Sequence, residues 1–144
     1  MVKYSTVLID PKDLDMHWPN AAPKLEAVMA PNSKAAEMAE LKRDIECGNR
    51  QLFGILDLEL NEFFAWCVTK HFENSAGKRV VEVEGLYALG IGLDVCLGLW
   101  REFEEFSRYL GVDIIRIQGR PGWVRVMKPA GYSLEYSVIS KELN

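Results

Sequence analysis

Apolar positions alternate with polar ones along some stretches of this chain and recur at helical spacing along others. The switches between the two periods lay out an order of elements. Tyr4 to Ile9 alternates and is β-branched until Asp10-Pro11 stops it, which predicts a first strand. From Pro11 to Ala30, Leu14, Trp18, Leu25, Val28 and Met29 form an apolar stripe, and Pro19 and Pro23 predict two short helical pieces. Ser33 is placed to cap a second helix over Ala35–Cys47, with Met38, Leu41 and Ile45 on one face and Gly48 as its stop. Three strands are expected next, Gln51–Leu60, Phe63–Phe72 and Arg79–Leu89, with turns at Asn61-Glu62 and Asn74–Gly77.

The helix expected over Val95–Leu110 carries the clearest stripe: Cys96, Leu99, Trp100, Phe103, Phe106 and Leu110. Arg101, Glu102, Glu104, Glu105 and Arg108 fall mostly on its other face. A short strand over Val112–Gln118, a short helix over Pro121–Lys128 ended by Pro129–Gly131, and a last strand over Tyr132–Ser140 complete the chain. The order βααβββαβαβ predicts an α+β fold, a mixed and mostly antiparallel sheet flanked by helices, as a single domain over residues 1–144. The fourth and fifth strands should run parallel because a helix connects them.

The fourth strand feeds a glycine pair, Gly90 and Gly92, and Asp94 opens the helix behind it. Free backbone N–H groups and the positive end of the helix dipole meet at such a junction, and glycine lets a phosphate approach. Leu89, Gly90, Ile91, Gly92, Leu93 and Asp94 are therefore a candidate anion cradle. A plain tight turn is the competing reading.

Composition narrows the choice of partners. A net charge of −4 over 144 residues argues against a broad nucleic-acid face. Cys47, Cys67 and Cys96 stand far apart among apolar neighbours, without the spacing of a zinc site, and read as buried free thiols. With only His17 and His71 besides, no metal is expected. Asp10 and Pro11 interrupt the N-terminus before any signal-like run, and no apolar window is long enough to span a membrane, so a cytoplasmic protein is expected.

The whole order resembles the GNAT, or Gcn5-related N-acetyltransferase, family. VVEVEGLYALGIG followed by a helix is similar to that family's fourth strand and pyrophosphate loop. DIIRIQGRPGWVRVMKPAGYSLEYSVISKEL is similar to its fifth strand, fourth helix and final strand, with Gly131-Tyr132 as the usual Gly-aromatic pair. The GRPGWVRV wording also resembles small phage and prophage GNAT-like proteins, some of them internal virion components. The likeness implies acetyl-CoA as the cofactor. Its pyrophosphate would lie on Tyr87 and Leu89–Asp94, its pantetheine arm between the fourth and fifth strands, and an amine or a protein would be the partner.

The resemblance also assigns chemistry. Glu82 or Glu84, sharing one face of the fourth strand, would take the ammonium proton as general base, and backbone N–H groups would steady the oxyanion. Trp66, Trp100 and Trp123 are candidates to line an acceptor pocket or to pack the core. Three positions depart from the family pattern. Tyr87 replaces a basic or amide residue, Arg120 stands about where an asparagine is usual, and Met127 replaces the tyrosine that protonates the leaving thiolate. Methionine has no proton to give, which leaves Tyr87 and Tyr132 as substitute acids. Arg116, Arg120, Arg125 and Lys128, with Trp123 among them, form a basic segment. It would serve as an anion or partner patch, or else pair with the Glu102–Glu105 run. Two functional readings follow: a phage-type GNAT-like protein with a degenerate acetyl-CoA site, weakly active or non-catalytic and partner-binding, in a host cytoplasm or a virion; or an active N-acyltransferase.

Overall fold

In a computed structural model the described residues are 3–29, 35–88, 93–118 and 122–134, with Lys141 and Leu143. Five strands form one sheet in the order β1 (Tyr4–Leu8), β2 (Gln51–Asp57), β3 (Glu62–Glu73), β4 (Arg79–Tyr87) and β5 (Ile114–Ile117). Neighbours run antiparallel except β4 and β5, which are parallel. The parallel pair follows from the connection, since α3 (Leu93–Tyr109) carries the chain from one strand to the other. Polar side chains make the tight turns: Asp57 Oδ1 accepts from Glu59 and Leu60 N, and Asn74 Oδ1 from Ala76 and Lys78 N.

The sheet separates two apolar cores. On one face α1 (Leu14–Val28) and α2 (Ala35–Glu46) bury Leu14, Ala21, Leu25, Met38, Leu41 and Ile45 against Leu52, Trp66 and Val68. Lys42 Nζ ties the two helices together, 2.6 Å from Asp15 Oδ1. On the other face α3 sets Leu97, Trp100 and Phe103 against Cys67, Val83, Ile115 and Ile117, with Met127 of α4 (Gly122–Met127) alongside. The C-terminus of α3 closes at Gly111, whose φ of 80° suits glycine, while Arg79 Nη1 donates to Leu110 O at 2.8 Å.

Several expectations need correction. Residues 14–28 form one helix, preceded by a 3-10 turn at Pro11–Asp13, although Pro19 and Pro23 lie inside it. The two prolines are four residues apart and both exposed. Each removes a hydrogen bond on the solvent side only, and the opposite stripe of Leu14, Ala21 and Leu25 holds the helix to the sheet. The second strand ends at Asp57, ahead of the turn made by its own carboxylate. Tyr132–Leu134 carries no strand, and residues 135–140 of the expected last strand lie outside the described residues.

Candidate functional site

The site begins with one extra residue. Val83 pairs with Thr69 and Gly85 with Val68, so Glu84 is a β-bulge in β4 with no partner in β3. A bulge bends its strand and re-aims side chains, which is why bulges gather at active sites. Before it, Val81 and Val83 face the α3 side and Glu82 the α1/α2 side. Beyond it, Leu86 faces α3, and Gly85 faces α1, where a Cβ would come within 2.7 Å of Met29 Cγ. The bulge also marks where the strands part. β5 pairs with β4 over Val80–Val83, Gln118 N reaches Val83 O, and no β5 partner for residues 84–87 exists among the described residues.

Glu82 and Glu84 share a face, as their spacing requires, but their surroundings differ. Glu82 is buried and accepts from Gln118 Nε2 at 2.7 Å and Arg116 Nη1 at 3.3 Å. One of the two carboxylates expected in the cleft is thus held in a cross-strand ion pair and by Gln118. Glu84 lines a cavity of about 300 Å³, together with Met29, Met38 and Leu41, the acids Glu37, Glu40 and Asp44, and Arg50 and Gln118. Arg50 grips both oxygens of Glu84, through Nε at 2.8 Å and Nη2 at 3.3 Å, and its Nη1 bonds Asp44. The Glu84 hydrogen bond, working against burial, holds the Arg50 proton above the ordinary guanidinium range.

On the opposite face Tyr132 leaves the Gly131 turn and packs on the α3 core, where Trp100 Nε1 donates to its hydroxyl at 2.8 Å. Burial pushes that phenol above its ordinary value, the Trp100 bond opposes the rise, and Glu104 adds to it. A hydroxyl that accepts from Trp100 keeps its own proton for another acceptor. Met127, where the resemblance places an acid, is buried in the same cluster. Tyr87 ends β4 with its ring near Lys24 Nζ of α1, 5.8 Å from the centroid, and faces away from Tyr132.

Leu89, Gly90, Ile91 and Gly92 lie outside the described residues, as does Arg120. For Leu93, Asp94 and Trp123 the structure gives the helical backbone alone. Arg116 turns inward to Glu82 and sets its guanidinium 5.5 Å from the Phe72 ring, on the sheet face away from α3. Glu104 pairs along its own helix with Arg108. Arg125 and Lys128 remain exposed.

Trp66 and Trp100 belong to opposite cores and line no common pocket. Cys67 is packed among apolar groups, which pushes its thiol up to about 12, whereas Cys47 is exposed rather than buried. Among the described residues no three His, Cys, Asp or Glu side chains gather to hold a metal, and no helix is long and apolar enough to cross a membrane. Sequence reading missed Arg50, Asp44, Met29 and Gln118. The available signal was Arg50 itself, a cation at the threshold of a buried strand.

No protein-family model matches the chain, and no curated protein sequence matches it. Solved structures do resemble it over nearly its whole length. An aminoglycoside acetyltransferase from an uncultured soil metagenomic sample superposes with a TM-score of 0.72 at 11% identity, covering 99% of this chain and 100% of its own. A GNAT family acetyltransferase from Staphylococcus aureus gives 0.69 at 16%, with 99% and 100% covered. A predicted acetyltransferase from Clostridium acetobutylicum, solved with acetyl-CoA, gives 0.65 at 14%, with 98% and 96% covered. None of the three is described as a phage or virion protein, so that finer likeness rests on the GRPGWVRV wording alone. The bulged β4, the parallel β5 that parts from it and the two-sided helical cover are the fold of the GNAT acetyltransferases.

Proposed function

We propose that the protein is an acyl-CoA-dependent N-acyltransferase in which Glu84 is the general base. The observation that carries this reading is the placement of Glu84 on the bulge, lining a cavity beside the point where β5 leaves β4. The edge of residues 84–87, which no strand pairs among the described residues, suits the extended amide-bearing arm of CoA, which can bond to it as an added strand would. Gly90, Gly92 and the start of α3 would hold the pyrophosphate, as the resemblance implies. The bound thioester would supply an acyl carbon to the amine, the C–N bond forming as the C–S bond breaks. Glu84 takes the proton that the amine gives up. Tyr132, on the far side of the gap between the strands, gives a proton to the departing thiolate. Glu82 is buried, bonded to Arg116 and Gln118, and does not line the cavity, so Glu84 is the carboxylate placed for the amine.

A second reading has support of its own. Met127 fills the expected acid position with a thioether, and Arg50 already occupies both oxygens of the base. Both observations favour a GNAT-like protein that keeps the fold and the CoA site without efficient chemistry and serves as a partner-binding or virion-associated component. Mass spectrometry of the purified protein for retained CoA, followed by a CoA-release assay over a panel of amines, separates the two. Amine-dependent release that falls in the Glu84→Gln variant supports the transferase. Retained CoA without release under any amine supports the second reading, and calorimetry showing no binding of CoA removes both.

A further inference from the structure

We propose that Trp100 is a positioning residue for the acid of this reaction, its indole N–H holding the Tyr132 hydroxyl so that the phenol proton is turned to the departing thiolate. This deepens the acyltransferase reading and rests on it for the thiolate, while the hold on the phenol can be measured without it. Tyr132 packs on the cluster of Val83, Trp100 and Met127. Val83 is the last β4 residue that pairs with β5, so the phenol stands beside the place where the strands part. Met127 offers only a thioether there, and Tyr132 brings a hydroxyl to the same cluster.

Trp100 is itself fixed by its neighbours. It is buried on α3 with the Phe103 ring 5.2 Å away, and Phe103 meets Phe53 of β2 edge-on at 5.8 Å. Packing that locks a side chain keeps the bond it makes in line. Trp100 Nε1 donates to the Tyr132 hydroxyl at 2.8 Å, with the two rings 68° apart. The bond takes one lone pair of a hydroxyl that would otherwise rotate, so the proton must point elsewhere. When the thiolate sulfur takes that proton, the phenolate left behind accepts the same N–H, now in a stronger, charge-assisted bond. Solvent returns a proton to Tyr132 once CoA has left. Burial raises the phenol and the Trp100 bond opposes the rise; Glu104 and Arg108 of α3, paired with each other, act on it with opposite signs. The rest of the cluster is apolar but for the Cys67 thiol.

A buried indole needs an acceptor whatever its role, so the test must separate positioning from packing. The full-length chain is labelled at the tyrosine ring carbon that bears the oxygen, and Tyr132→Phe assigns the Tyr132 signal. Trp100→Phe removes the donor. A second variant carries the benzothiophene analogue of tryptophan in place of Trp100, which keeps the bicyclic shape without the N–H and so spares the core. In both, Tyr132 is expected to titrate at higher pH than in the unmodified protein. With acetyl-CoA and an amine that turns over, kcat should fall about three- to tenfold. KM for acetyl-CoA should stay within about twofold. Neither change should lower kcat further once Tyr132→Phe is present. An unmoved Tyr132 titration, a loss in KM rather than kcat, or the same loss on the Tyr132→Phe background would each overturn the proposal and leave Trp100 as core packing. A titration that moves in a protein releasing no CoA to any amine sinks the transferase reading and Trp100's part in the reaction with it. Turnover indifferent to the benzothiophene analogue sinks the Trp100 assignment alone.

Discussion

Two glutamates two residues apart illustrate how far single positions could be read in advance. Their common face was legible from strand periodicity, but their roles depended on Arg50 and Arg116, cations 34 residues away in either direction along the chain. Such pairings are set by strand register and leave no local trace. The structure therefore separates the pair by experiment. Glu84→Gln should lower kcat/KM for amine acylation by about 10²-fold or more, as loss of a positioned base does. Its melting temperature should hardly move, because Arg50 keeps Asp44. Glu82→Gln should leave CoA binding intact and cost about 1–3 kcal/mol of stability, since it removes the buried charge to which Arg116 and Gln118 both donate. Chemical denaturation and steady-state kinetics on both variants check the split. Equal kinetic losses would mean that the base has been misassigned.

At the level of elements, periodicity located every strand and helix of the described residues to within a few positions, and failed where a local rule was overridden by packing. The prolines of α1 are the clear case. They sit on the solvent side, so the helix survives them, held by a buried stripe on its other side. Pro23→Ala should restore the missing bond to Pro19 O and relieve the ring clash, which outweighs the extra freedom given to the unfolded chain. A net gain of about 1–2 kcal/mol in a urea titration is expected. A loss would show that Pro23 itself is needed to seat Met29 over Gly85. The bulge at Glu84 was invisible for a different reason: it is a relation between two strands, and β4 alternates correctly on either side of it.

Across the whole molecule, stability should depend on pH through one group at an exposed strand position, His71, and one in a core, Cys67. His71 is held below its ordinary 6.5, first by burial and then by the Arg79 charge. The folded state thus binds that proton less readily than the unfolded chain. Its contribution is present above 6.5 and is lost as pH falls through the folded value. Cys67 acts in the opposite sense. Its unfolded thiol ionises near 9.0 but the buried one only at about 12, so stability is lost as pH climbs between the two. Urea midpoints measured across this range should show an acid limb flattened by His71→Asn and an alkaline limb flattened by Cys67→Ala. The extra residue in β4 has a consequence at the level of the gene. An in-frame loss of codon 84 would let Gly85 follow Val83 in an unbroken ladder, with Leu86 and Tyr87 keeping their present sides. Such a deletion should yield a folded and more regular protein without its carboxylate at the cavity, so one mutational step would remove the proposed base and leave nearly every other position as it was.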